Sequence, residues 1–83
     1  MLTGVQIRSA RAALGWPVQE LADKAGVAAK TITRLESVQG IPQSRTATLL
    51  DIKAALESAG IEFIGTPEDR PGIRLELRKL DSK

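Results

Sequence analysis

Two cationic side chains stand one helical turn apart in the stretch LADKAGVAAKTITRLE, residues 21–36. A helix places Lys30 and Arg34 on one side, away from the apolar Ile32 and Leu35. Arginine can donate two hydrogen bonds to the O6 and N7 atoms of guanine, while lysine can reach a guanine acceptor or a phosphate. On an arbitrary helix such a pair is most often a solvated surface feature, so the surrounding elements must decide between these interpretations.

Glycines and helix-start residues divide the first half of the chain into predicted helices. The first begins at Thr3, where Gln6 completes a capping box, and ends at Gly15. The second starts near Pro17, whose fixed φ suits a first helical turn, and ends at Gly26.

The third and fourth predicted helices flank the loop VQGIPQS. The third leads from Val27 to about Ser37, and the fourth opens at Thr46, or at Ser44 before it, and closes at Gly60. Apolar residues recur at helical spacing along the fourth helix, at Leu49, Ile52, Leu56 and Ala59.

After the fourth helix the apolar period changes from helical to two. IEFI (61–64) and IRLEL (73–77) alternate apolar and charged residues, which is typical of half-buried strands, and the turn-rich GTPEDRPG separates them. We therefore predict a mainly α protein with one domain over residues 1–83. Its compact four-helix core spans 3–60, and a two-stranded antiparallel β-hairpin with a long loop follows over 61–78.

Composition excludes most catalytic chemistry. The 83 residues include no cysteine and no histidine, which removes disulfides, thiol nucleophiles, imidazole bases and the usual zinc sites. No nucleophile–base pair, phosphate-binding glycine loop or acidic cluster can be assembled either, so we expect no enzyme, no cofactor and no metal. No apolar run is long enough to span a membrane, and we expect a soluble cytoplasmic protein without a membrane partner.

The opening stretch has the spacing of two short helices joined by a tight turn. The inward positions and the turn are occupied by Leu21, Ala22, Ala25, Gly26, Val27, Ile32 and Leu35. This pattern is typical of a helix-turn-helix, whose second helix enters the DNA major groove. Over residues 3–60, and best over LGWPVQELADKAGVAAKTITRLE, the sequence resembles the lambda-repressor and Cro-like regulators of the XRE family.

The resemblance implies that residues 28–37 form a recognition helix and that double-stranded DNA is the partner. The residues it places closest to base edges are Ala29, Lys30, Thr33 and Arg34. Ser44 and Arg45 would contact phosphate, and Arg11 would form a structural ion pair with Glu36 that fixes the angle of the recognition helix.

Two positions depart from the family pattern. The family usually opens the second helix with a glutamine that grips phosphate, but Val18 stands there. Gln19 follows one residue later and is the candidate replacement, although a one-residue shift rotates a side chain by about 100° on a helix. Ala28 replaces the usual Ser or Thr cap of the recognition helix, which costs about 1 kcal/mol of helix stability.

The hairpin raises the question of oligomeric state, because a two-stranded hairpin is marginally stable alone. Its apolar face consists of Ile61, Phe63, Ile73, Leu75 and Leu77. We expect this face to pack on the fourth helix, on a second copy, or on both. A homodimer would read a palindrome with half-sites about one DNA turn apart. The alternative is that the hairpin only closes the monomer's own core.

The leading functional prediction is a sequence-specific DNA-binding transcriptional regulator, a small repressor or autoregulator, because the chain has no evident effector domain. The alternative is a protein-interaction module on the same fold, an antitoxin or antiactivator subunit whose hairpin grips a partner protein. The two can coexist.

Overall fold

Helices come first along the chain, and a β-hairpin follows them. The computed structural model describes residues 2–38, 41, 43–66 and 68–76. In these residues the elements are α1 (Gly4–Leu14), α2 (Val18–Ala25), α3 (Ala29–Glu36), α4 (Thr46–Ser58), β1 (Ile61–Thr66) and β2 (Asp69–Leu75). The predicted fold class, mainly helical with a C-terminal antiparallel hairpin, is confirmed.

The start and end of α1 follow from its capping residues. The Thr3 hydroxyl accepts from the Gln6 backbone N–H at 3.1 Å, and the Gln6 side-chain oxygen accepts from the Thr3 backbone N–H at 2.9 Å. Both halves of the predicted capping box are therefore present. Gly15 ends the helix with φ 70°, a left-handed conformation that glycine adopts without steric cost.

The other helices begin without a side-chain cap. Their N-cap residues are Pro17, Ala28 and Arg45, and none of these side chains bonds a free N–H of the first turn. Pro17 stands one position before the first turn in which it was predicted. Thr46 opens α4 as predicted, whereas Ser44 lies outside the cap.

The apolar core draws on every helix and on β1. Its buried members are Leu2, Ile7, Ala10, Leu21, Ala22, Ile32, Leu35, Leu49, Ile52, Leu56 and Ile61. The second helix packs on both α3 and α4. The third helix is thereby held against α2 through its apolar side.

The hairpin is longer, and its turn shorter, than the sequence predicts. Pairing continues to Thr66 opposite Asp69, beyond a bulge in which two β2 residues oppose Gly65. Gly65 has φ 76°, and a Cβ there would collide with the carbonyl of Arg70. The long predicted loop is wrong because the bulge accommodates Pro71, which has no N–H for a regular ladder.

The apolar face of the hairpin packs on the protein's own helices. Ile61 is buried, while Phe63, Ile73 and Leu75 are half-buried against the core. On the outer face Arg74 pairs with Glu62 at 3.4 Å. Leu77, the fifth residue predicted for dimerisation, lies outside the described residues. Within one copy of the chain, the described residues of this apolar face therefore pack against the hydrophobic core.

Gln6 also fixes the hairpin to α1. Its side-chain amide donates to the backbone oxygen of Ile64 at 3.3 Å and to that of Gly72 at 3.0 Å. The residue is only 3% exposed, and its two bonds to the hairpin are part-buried, so solvent weakens them only in part.

Replacing Gln6 with Ala should lower the free energy of unfolding by about 1 to 3 kcal/mol, because it removes the acceptor of the buried Thr3 N–H and two part-buried hydrogen bonds to the hairpin. Gln19→Ala is the matched control. It removes one exposed bond to Asp23, and stability should stay within about 0.5 kcal/mol. Urea unfolding followed by Trp16 fluorescence measures both, and equal losses would contradict the role of Gln6.

Candidate nucleic-acid interface

The turn between α2 and α3 sets the position of the recognition helix. Gly26 is left-handed with φ 72°, and the Val27 N–H donates to the carbonyl of Ala22 at 3.0 Å. These contacts close the end of α2 and redirect the chain within three residues into α3. Leu21 of α2 and Ile32 of α3 are then both fully buried.

The exposed side of α3 carries the predicted base-contacting residues. Lys30, Thr33 and Arg34 are exposed, while Ile32 and Leu35 face the core. Ala29 differs from the others because it is half-buried and packs against the core. Its position two turns before the buried Glu36 explains this, since residues seven apart share a side of a helix.

The cations on this side are not neutralised by the protein. Among the described residues, Lys30, Arg34 and Arg45 form no ion pair with a carboxylate. Elsewhere in the described chain, the cations that pair with acids are Arg11, Lys24, Lys53, Arg70 and Arg74, while the exposed Arg8 on α1 forms no ion pair there. The exposed side of α3 and the start of α4 therefore carry positive charge that a polyanion could neutralise.

Arg34 also makes a contact that the sequence does not reveal. One of its terminal nitrogens donates to the backbone oxygen of Gln43 at 3.0 Å. This bond draws the segment before α4 to the recognition helix, and with it the half-buried Ser44 and the exposed Arg45. Ser44 and Arg45, which are predicted to contact phosphate, thus directly follow a residue that is bonded to α3. Loop paths carry no periodicity, so no sequence signal identifies this bond.

Gln19, the candidate for the missing phosphate contact, is engaged on its own helix. Its amide donates to Asp23 at 2.8 Å, an exposed contact one turn along α2. Val18, which occupies the family's usual glutamine position, is half-buried and packs against the core.

Arg11 and Glu36 join α1 to the last residue of α3. The Arg11 Nε donates to one carboxylate oxygen at 2.8 Å and Nη2 to the other at 2.9 Å. The remaining nitrogen, Nη1, donates to the carbonyl of Trp16 at 2.9 Å, just before α2. The Arg11 side chain therefore connects the last turn of α1 to the end of α3 and to the segment that precedes α2. The side chains of Arg11 and Glu36 are 21% and 8% exposed, so solvent screens the pair only in part.

The hydrogen bond to Glu36 raises the pKa of the Arg11 guanidinium above its ordinary value, burial partly opposes this, and the negative charge of Glu36 adds to it. A raised folded-state pKa means that the contribution of Arg11 to stability is fully present below its unfolded pKa. It is lost only as the pH rises through the still higher folded value. The cationic partner is therefore retained throughout the neutral range.

A family model described as helix-turn-helix matches residues 7–52, more than half of the chain. The protein belongs to the XRE-type helix-turn-helix family. No curated protein matches the chain. The matched span contains α2 and α3 complete and leaves the hairpin outside.

Membership in this helix-turn-helix family makes the protein a DNA-binding transcription regulator, on a fold that is generally not enzymatic. In the part of the chain that the structure describes, no helix has the length and apolar character to cross a membrane. Nor do those residues bring together three or more side chains of the kinds that hold a metal ion.

A double-mutant cycle should find that Arg11 and Glu36 stabilise this helix-turn-helix protein jointly. Arg11→Ala or Glu36→Ala alone should each cost more than about 1 kcal/mol, because each leaves a partly buried charge without its partner. The control cycle uses Arg74 and Glu62, an exposed pair at 3.4 Å. Its coupling energy should be about 0 to 1 kcal/mol. Urea unfolding measures both cycles, and equal coupling would refute the structural role of Arg11.

The uncapped start of α3 predicts a stabilising substitution. Ala28→Ser should raise the free energy of unfolding by about 1 kcal/mol, because a serine oxygen at the N-cap can accept a free N–H of the first turn. Ala12→Ser, the same change at an exposed position inside α1, should instead cost a few tenths of a kcal/mol or so. Thermal unfolding measures both, and a destabilised Ala28→Ser protein would contradict the cap assignment.

Proposed function

We propose that this regulator is a small repressor or autoregulator that binds a palindromic operator in double-stranded DNA as a cytoplasmic homodimer. The observation that carries the proposal is the exposed, unneutralised pair Lys30 and Arg34 on α3 of a helix-turn-helix. Thr33 lies between them on the same exposed side and offers a methyl group to thymine.

Arg34 is the main candidate for base recognition. Its bond to the Gln43 carbonyl uses one donor of Nη1 and leaves Nη2 to face a guanine. The same bond restricts the side chain before DNA arrives, so less conformational freedom is lost on binding. Lys30, one turn earlier, reaches a neighbouring base or a phosphate.

Arg45 and Ser44 are the candidates for phosphate contacts. Arg45 is the N-cap of α4 and has no side-chain hydrogen bond to that helix. A cation is slightly unfavourable beside the positive end of a helix dipole, and a phosphate bound there would reverse this. The bond between Arg34 and Gln43 holds this segment beside α3, so phosphate and base contacts can form together.

A dimer supplies the specificity that one small domain lacks. One recognition helix offers few base contacts, whereas two copies related by a two-fold axis double them on half-sites about one DNA turn apart. The alternative, an antitoxin or antiactivator whose hairpin grips another protein, has less support. The apolar face that would make that contact packs on the chain's own core at Phe63, Ile73 and Leu75.

Titration with DNA from upstream of the protein's own gene, against a scrambled duplex, tests the proposal. Arg34→Ala should cost about 1 to 3 kcal/mol on the preferred duplex and relax base preference. Arg45→Ala should weaken all duplexes alike and reduce the salt slope by about one unit.

Arg74→Ala is the matched control, because this arginine is exposed but paired with Glu62 on the hairpin. Its affinity should equal that of the wild type. Full operator affinity in Arg34→Ala would contradict the assignment of α3, and equal affinity of the wild type for both duplexes would contradict the proposed function.

A further inference from the structure

The fourth helix has apolar residues on both of its sides. Leu49, Ile52 and Leu56 face the core, but Leu50 points outward and is 55% exposed. Ala47 and Ala54, on the same outer side as Leu50, are exposed as well. A helix that is apolar on both sides is normally covered on both, so the outer side of α4 lacks its cover in a single copy of the chain.

A groove lies next to this exposed leucine, between α4 and the end of α2. Its volume is about 350 Å³, and its lining residues are Lys24, Ala25, Asp51, Ala54, Ala55 and Ser58. Most of these side chains are small, so another helix could approach closely. The groove is open to solvent beside Leu50, which precedes Asp51 in the chain.

We propose that the outer side of α4 is the homodimer interface, where Leu50 of each copy occupies the groove of the other. This inference rests on the proposed function, because it names the surface that forms the operator-binding dimer. The occupant is a second copy because the protruding Leu50 and four of the six residues that line the groove lie on the same helix, within about two turns of each other. A two-fold axis across antiparallel α4 helices makes both contacts at once.

Charge complementarity supports the same occupant. Asp51 directly follows Leu50, and it has no ion-pair partner among the residues that the structure describes. Lys24 and Asp51 line the same groove, so in the proposed contact Asp51 of one copy would approach Lys24 of the other, and the two-fold axis would repeat the contact. Lys24 lies 5.6 Å from the centre of the Trp16 ring and pairs with Glu20 at 3.4 Å, and this exposed ion pair can be exchanged for one with Asp51 at little cost.

The other candidate surfaces are already occupied or assigned. The hairpin's apolar face packs on the chain's own core, and the exposed side of α3 is proposed to contact DNA. Within the described residues, the other exposed large apolar side chains are Val38 and Ile41, which lie between α3 and α4. A dimer through α4 therefore leaves both recognition helices free.

Sedimentation over a range of protein concentrations tests the interface. The wild type should sediment as a dimer, and Leu50→Glu should weaken dimerisation at least about tenfold, since it places a charge inside the contact. Because Leu50 is exposed in the monomer, the variant should keep its helical circular dichroism. Val38→Glu makes the same kind of change at another exposed apolar residue, and this variant should still sediment with the mass of a dimer.

A charge exchange provides a second test. Lys24→Glu or Asp51→Lys alone should weaken the dimer, and the two together should restore it, a rescue that a merely structural role would not produce. A wild-type monomer would overturn the dimer altogether. A wild-type dimer unaffected by Leu50→Glu, or single variants without rescue, would overturn this interface while leaving the operator-binding dimer in place. A dimer that depends on Leu50 but prefers no duplex would instead refute the proposed function.

Discussion

The bidentate ion pair between Arg11 and Glu36 determines the orientation of α3 in the helix-turn-helix. Glu36 is the last residue of α3, and Arg11 holds it from α1 while also bonding the carbonyl of Trp16 before α2. Apolar packing is non-directional and would tolerate small rotations of α3. A forked guanidinium–carboxylate contact has fixed geometry, so it sets the orientation in which Lys30 and Arg34 face solvent.

Polar contacts of this kind recur wherever one element must be held against another. Gln6 closes the capping box of α1 and at the same time bonds two hairpin carbonyls. Arg34 bonds the segment before α4. In both cases, one side chain with several donors or acceptors joins segments that are distant in the chain. Such contacts add stability in a chain that is too short to form a large core. Among the described residues, three of the four cations without a carboxylate partner, Lys30, Arg34 and Arg45, lie on α3 and at the start of α4, and the fourth, Arg8, lies on α1.

The helices could be predicted from sequence because their signals are local. Thr3 and Gln6 identify the start of α1, Gly15 and Gly26 mark helix ends, and inward spacing identifies the helix-turn-helix. The hairpin's extent could not be predicted, because Pro71 and its neighbours have the composition of a loop and only the bulge at Gly65 allows pairing. The Arg34 bond to Gln43 depends on tertiary placement, which the periodicity of the sequence does not indicate. The alternating pattern predicts an apolar face that includes Phe63, but it leaves open whether that face packs on the chain's own helices or on a second copy.

In the proposed function, Arg34 reads a guanine from the exposed side of α3. Replacing single guanines of the preferred duplex with 7-deazaguanine, which lacks the N7 acceptor, tests this directly with wild-type protein and Arg34→Ala. At one guanine in each half-site, the wild type should lose about 1 to 3 kcal/mol of binding free energy, and Arg34→Ala should lose nothing further. Equal losses for both proteins, or no sensitive guanine at all, would contradict the account.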